Sequence, residues 1–440
     1  MENSFPAARG LPFEFTDKPV TPWGGLRLVQ EMLIRMNFRA ALEASGLPRP
    51  GSNRGYDPVE MMEAFLVCVW IGGVRFSHTS IVRFDEALCQ MFGWERVASV
   101  STFTRWFRRF NRERVDQVFG SLSRWFWDQL APRTITLDLD SSVVTRFGKQ
   151  EGAVVGYSRK NFGKPTHRPL FAFAADWRMV VLAWLRPGNT DDCNGTRDFI
   201  DEALRLLEPR HRVGLIRADG GFYDRGFLGE LELKKVPYIV SGHMTGPLRQ
   251  EIAGVRQWLD VGDGVAVSEF QYEGMRWKKA RRMVVVRQEL KQRPNALGKL
   301  LLEVPGYKFS AFVTTLDLPP AEVWRLYNGR GDSENRIAEL KADFGLNGFC
   351  LHPFYATEAA FRSAMLGYNL MSLFRQALLQ APTAVRLSTM RFQCFALGSW
   401  IGGRGRKKVL RISLNPKRRG WFEGLFAKIE AFRCPWPAPT

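Results

Sequence analysis

The chain contains no apolar run long enough to cross a bilayer: its longest, Phe65 to Val74, is about half of the roughly 20 residues a spanning helix needs. The N-terminus, MENSFPAARGLPFEF, has no basic start followed by an apolar stretch, so no secretory signal is read there. Cysteines are few and scattered; Cys68, Cys89, Cys193, Cys350, Cys394 and Cys434 form no C-x-x-C pair, which argues against a zinc site and against a disulfide framework. Histidine is equally sparse, and His78, His167, His211, His243 and His352 offer no metal-binding spacing. Acidic charge is also in short supply. With 44 Asp and Glu against 63 Lys and Arg, the formal charge is +19 over 440 residues, an imbalance that points to a polyanionic partner, nucleic acid first. A soluble cytoplasmic protein without membrane contact is the expectation.

Hydrophobic residues make up 45% of the chain, enough for a large core and more than one domain. Residues 1–24 read as an irregular arm. Helical spacing marks 25–130, as in Val29, Met32, Leu33 and Met36. There a helix from Ile81 to Phe92, a turn at Gly93 and a helix capped by Ser101 resemble a helix-turn-helix; Arg105, Arg108 and Arg109 could meet DNA phosphates while Phe103, Trp106, Phe107 and Phe110 face the core. At Thr134 the period changes to two. Strands are predicted to Asp140 and at Leu170 to Ala174, Met179 to Leu185, Val213 to Ala218 and Val236 to Ser241, with a helix over Thr196 to Leu207, giving a mixed α/β sheet in 131–250. Residues 251–316 read as a β-rich insertion and 317–400 as a return to helices. Residues 401–440 form a basic tail with ten Lys or Arg against Glu423 and Glu430.

Acids at the ends of apolar strands must be paired, hydrogen-bonded or metal-bound. Asp138 and Asp140 alternate with leucines; Asp219 leaves a buried strand into Gly220-Gly221; Glu334 and Lys341 lie seven apart on one helix face, with Asp332 or Ser333 as cap. Oxygen-only ligands of this kind select Mg²⁺ or Mn²⁺ and suit phosphodiester cleavage.

The run Tyr327, Arg330, Glu334 and Lys341 has the spacing Tyr-x2-Arg-x3-Glu-x6-Lys, and resembles the signature of a large group of bacterial insertion-sequence transposases with a DDE site. Asp140-Ser141-Ser142, Asp219-Gly220-Gly221-Phe222, and the stretch from Phe147 through Gly156-Tyr157 to His167-Arg168-Pro169-Leu170 resemble that group too, so the likeness spans roughly residues 25–380. It implies an RNase H-like (retroviral integrase-type) core interrupted by the insertion, with Asp140, Asp219 and Glu334 as catalytic metal ligands holding two Mg²⁺ ions, or Mn²⁺. Asp138 competes for the first place and Glu339 more weakly for the third. The resemblance further implies that Tyr327, Arg330 and Lys341 contact phosphates of the terminal inverted repeats. It also implies that a homodimer holds two ends, and that cleavage is followed by transfer into target DNA with no nucleotide cofactor. Rival readings are a nuclease of the same fold that cuts without joining, and an inactive DNA-binding protein.

Asp219 and Glu334 are 115 positions apart, too long for one connection, so the insertion must lie between them. It carries Arg276, Lys278, Lys279, Arg281, Arg282, Arg287, Lys291 and Arg293 around Trp277, a composition suited to DNA strands with exposed bases, on which Trp277 could stack. Trp258, in a sparsely charged stretch, is expected to be buried.

Overall fold

The computed structural model describes residues 11, 14–51, 54–156, 161–274, 277–290, 299–300, 306–380 and 385–437. Tyr157, Arg276, Lys291 and Arg293 lie outside them, as do residues 1–10 of the N-terminal arm. The arm's described end forms a short strand, β1 (Val20–Thr21), and is followed by helices α1 (Leu26–Arg35), α2 (Phe38–Ala44), α3 (Pro58–Trp70), α4 (Thr79–Arg83), α5 (Glu86–Phe92), α6 (Val100–Phe107) and α7 (Arg112–Asp128). In α3, Pro58 opens the helix, the Asp57 carboxylate accepts from Val59 N–H at 2.8 Å, and every residue from Met61 to Trp70 is buried. The predicted Ile81–Phe92 helix is two, because Asp85 leaves the helical region and caps α5 by accepting from Leu88 N–H. Gly93 closes α5 at φ +74°. The cap of α6 is Ser99 rather than Ser101: its hydroxyl accepts from Thr102 N–H.

The large sheet is built from β2 (Thr134–Ser141), β6 (Leu170–Ala174), β7 (Met179–Trp184), β8 (Arg212–Ala218), β9 (Tyr238–Ser241), β10 (Leu259–Gly262), β11 (Val265–Tyr272), β12 (Arg281–Glu289) and β14 (Tyr307–Thr314), in the order β10-β11-β12-β14-β9-β8-β2-β6-β7; β13 (Lys299–Leu300) pairs with β14. A three-stranded sheet after Ser142 contains β3 (Val144–Thr145), β4 (Val154–Val155) and β5 (Pro165–His167). β2 and β8 are parallel neighbours, with Leu139 opposite Ala218, and β8 and β9 are parallel too. The right-hand part of this order is the α/β sheet expected from the sequence, with α8 (Thr196–Leu207) crossing between β7 and β8 and α9 (Arg225–Leu233) between β8 and β9.

After α10 (Gly246–Gly254), the β-rich segment continues this sheet instead of standing apart from it: β14 runs antiparallel to β9, pairing Val313 with Val240. The strands alternate faces accordingly. Met283 and Val285 of β12 enter the main core, while Val284 and Val286 enter a second core covered by Ala321 and Val323 of α11 (Pro320–Asn328). Trp258 packs partly buried on Phe309, with Arg287 over its ring at 4.6 Å.

A single buried cluster runs from Leu26 in α1 through β2, β6 and β8 to α12 (Asp332–Asp343) and α13 (Phe354–Phe374). α14 (Leu387–Met390) contributes Leu387 and Met390 to it. The basic C-terminal segment is folded as well. β15 (Ser399–Arg404) and β16 (Lys407–Ile412) form a hairpin beside β1, and α15 (Pro416–Ala431) sends Phe422, Leu425 and Ile429 into that core. Truncation from Gly402 would remove core residues, so charge neutralisation is the cleaner probe of this segment. No helix among the described residues is long and apolar enough to cross a membrane.

Candidate active site

Parallel pairing of β2 and β8 brings their C-terminal ends together, the position where open α/β sheets collect ligands. Asp140 is the penultimate residue of β2, and Asp219 directly follows β8. Asp219 leaves the strand in a tight turn, its Oδ1 accepting from Gly221 N–H at 2.9 Å. A Cβ on Gly221 would lie 2.5 Å from Asp192 Oδ2 and 3.0 Å from Asp219 Oδ1, so any other residue would displace one or both carboxylates.

From the other side comes Arg330, in the single turn Gly329–Gly331 between α11 and α12. Its Nη2 is 3.2 Å from Asp140 Oδ2 and 3.6 Å from Asp219 Oδ2, and donates to Leu139 O at 3.3 Å. One buried guanidinium is thus shared by two carboxylates. Burial pushes the Asp140 carboxyl up to about 7; Arg330 opposes the shift, while Asp219 and Glu334 reinforce it. Asp219 is raised as well, chiefly by desolvation, against the pull of Arg330.

Both rivals are occupied elsewhere. Asp138 is wholly buried and accepts from Arg217 Nε at 2.6 Å and Nη2 at 2.9 Å, its direct neighbour across the β2–β8 ladder. Glu339 is buried against Arg375 and accepts from Leu387 N–H. Glu334 is exposed in the first turn of α12. The expected side-chain cap of that helix is absent. Gly331 precedes it in helical conformation, Asp332 is bound by Arg178 and Arg336, and buried Ser333 Oγ has no hydrogen-bond partner among the described residues.

Among the described residues no three His, Cys, Asp or Glu side chains are grouped closely enough to hold a metal ion. The fit is therefore that of a pair: Asp140 and Asp219 already converge on one cationic group, with oxygen donors suited to Mg²⁺. Sequence reasoning missed Asp192. Its Oδ1 accepts from Ser141 Oγ at 2.5 Å and its Oδ2 from Arg168 Nη2 at 2.7 Å, so the hydroxyl following Asp140 positions a further acid beside the Asp219 turn. The signal available was the Asp191-Asp192 pair in the loop a few residues after a predicted strand, with Arg186 at the start of that loop.

The family model of the transposase DDE domain, group 1, matches residues 7–434. The chain belongs to that family. Among solved structures, the piggyBac transposase in a cryo-EM synaptic complex with hairpin DNA matches this DDE transposase with a TM-score of 0.46 and 10% identity, over 86% of this chain and 81% of that one. No curated protein matches it.

Of the remaining predicted contacts of this transposase, Tyr327 stands beside the Arg330–Asp140–Asp219 cluster and the others lie elsewhere. Tyr327 is half-buried with its ring 4.3 Å from that of Phe312. Lys341 is half-buried on α12. Arg105, Arg108 and Arg109 are exposed at α6 while Phe103, Trp106, Phe107 and Phe110 are buried, the expected division of faces; Arg109 also donates to Arg49 O at 2.7 Å. Trp277 is half-buried, packed on Tyr223 and Tyr272 at 5.6 and 5.8 Å and under the Arg281 guanidinium at 4.7 Å. Tyr223 in turn meets His243, which lies against Gly220, so an aromatic line joins Trp277 to the turn carrying Asp219.

Proposed function

We propose that this transposase cuts DNA at the ends of an insertion sequence and joins the freed 3′ hydroxyl to target DNA, using Asp140, Asp219 and Glu334 on an RNase H-like core. The supporting observation is the meeting of Asp140 and Asp219 around one cation at the ends of parallel neighbours, with Glu334 following Arg330 by one helical turn. Two Mg²⁺ ions, or Mn²⁺, held by these acids would activate the attacking oxygen and stabilise the leaving one. Asp140 acts as a buried acceptor and Asp219 as its more exposed partner, fixed by the Gly221 N–H, and Asp192, held by Ser141 and Arg168, lies beside the adjoining turn. Arg330 has the planar fork to exchange its carboxylate partners for a phosphate, and Lys341 supplies a point charge on the Glu334 face. Two ends must be brought together, so a homodimer is the smallest working assembly. The test is an oligonucleotide assay with end duplex, target plasmid and Mg²⁺: joined products support the proposal, and cleavage without joined products would make the protein a nuclease instead.

DNA affinity should fall steeply with salt, because many phosphate contacts release counterions. Arg404, Arg406 and Lys407 crowd the exposed turn of the β15–β16 hairpin. Replacing all three by Gln should reduce the log–log salt slope by about 2 to 3 if they touch DNA; an unchanged slope would remove the hairpin from the interface. Trp277→Ala should slow processing after the first nick more than the nick itself, since base stacking is worth roughly 1–3 kcal/mol. Wild-type kinetics at both steps in a folded variant would leave Trp277 as packing for Tyr223 and Tyr272.

A further inference from the structure

The face of α12 turned away from Glu334 borders a cavity of about 260 Å³ lined by Arg178, Arg336, Arg375 and Arg386 with Asp332, Asn335, Glu339 and Tyr368. Asp332, Asn335, Arg336 and Glu339 recur at helical spacing on one side, whereas Glu334 and Lys341 lie on the other. Four guanidinium groups thus face two carboxylates, and both carboxylates are already engaged. Asp332 is bound by Arg178 at 2.9 Å and by Arg336 at 2.9 Å, and Glu339 by Arg375 at 3.1 Å. The surplus is two positive charges in a partly enclosed space.

Two details set this cavity apart from an ordinary ion-pair network. Arg336 is only 4% exposed, yet its buried Nη1 has no hydrogen-bond partner among the described residues. Its guanidinium lies over the Phe173 ring at 5.5 Å, which fixes the charge in the wall of the cavity. Arg178 sits at the β6–β7 turn with φ +50°, a backbone region that a long side chain seldom adopts, and it is held there by the ion pair to Asp332. Arg386 stands exposed at the rim.

We propose that this cavity is an anion site taking a phosphate group, separate from the Asp140–Asp219 centre. The surplus charge and the planar guanidinium donors lining the cavity match a tetrahedral oxyanion with several acceptor oxygens. Such a phosphate has two sources, the backbone of a DNA segment passing behind α12, or free phosphate.

The experiment compares thermal unfolding and calorimetric titration with sodium phosphate against sodium chloride at equal ionic strength, using the full chain. Phosphate should give a saturable rise in Tm, and Arg386→Gln and Arg178→Gln should each weaken it about tenfold. Salt-dependent binding of a linear duplex then separates the sources. A slope lowered by about one in Arg386→Gln assigns a backbone phosphate, and an unchanged slope beside lost phosphate binding assigns the free anion. Asp140→Asn should leave the phosphate response intact, so failure of the metal assignment would not affect this result. A phosphate response no larger than that of chloride, or one that both arginine variants retain in full, would overturn the proposal.

Discussion

Asp140→Asn is expected to give a folded protein that binds end DNA and does not cut it, whereas Asp138→Asn is expected to cut DNA while being markedly less stable. The two acids are two residues apart on one strand face, yet their surroundings divide their roles. Asp140 shares a cation with Asp219 where the strand ends open; Asp138 is sealed beneath, paired with Arg217 through two hydrogen bonds. Removing a partner that merely orients a metal ligand typically costs 10–100-fold, so loss of a direct ligand should cost about a thousandfold or more. The same loss is expected for Asp219→Asn and Glu334→Gln. Breaking the buried Asp138–Arg217 pair leaves an uncompensated guanidinium and should cost about 3–5 kcal/mol of folding stability. Nicking assays, gel shifts and urea melts on the same preparations check both halves. Full cleavage by any one of the three ligand variants would remove that residue from the centre, and wild-type stability of Asp138→Asn would contradict the buried pair.

Metal-free protein is expected to lose stability as pH rises from about 4 to about 7, and Asp140→Asn to abolish most of that loss. The folded state holds a proton on Asp140 up to about 7, while the unfolded chain releases it near 3.8. Between those values the native state binds more protons than the unfolded one, so stability falls with rising pH and levels off above 7. A tenfold difference in proton affinity between the two states corresponds to about 1.4 kcal/mol, which puts the full effect at a few kcal/mol. At pH 8 in EDTA the Asn variant should therefore melt higher than wild type, with the gap closing near pH 3. Added Mn²⁺ should raise the wild-type melt and leave the variant's nearly unmoved. A variant that melts lower than wild type at pH 8 would show that ionised Asp140 stabilises the fold through Arg330.

Much of the right-hand sheet was legible because buried strands and an amphipathic helix leave their period in the residues: β6, β7, β8 and α8 lie within a residue or so of their predicted ends. The acids Asp140 and Asp219 could be seen as strand-end carboxylates. What periodicity does not carry is pairing between distant segments. It marked the strands after Glu251 as β structure but not their attachment to β9, which makes them an extension of the same sheet. Nor did it place Asp192, whose role depends on Ser141 lying across the fold from it. The motif points Arg330 at phosphate, and the structure places it between two carboxylates, a contact no local pattern encodes. The α6 cap is Ser99 rather than Ser101 because two serines, two positions apart, offer the same chemistry and only backbone geometry selects one.

The cross-strand pairing of Asp138 with Arg217 has a consequence for how such a chain can change over time. Parallel strands of alternating apolar residues could slide by two positions and keep their faces, but here a slide would set Arg217 opposite Thr136 or Asp140 and strand a charge in the interior. The same slide would move Asp219 away from Asp140 by roughly 6.6 Å. Two residues that touch neither substrate nor metal thus hold the alignment on which the reacting groups depend. Drift at one of them alone should be purged, and inherited replacements should arrive together, as an apolar couple or as an exchanged pair of opposite charges.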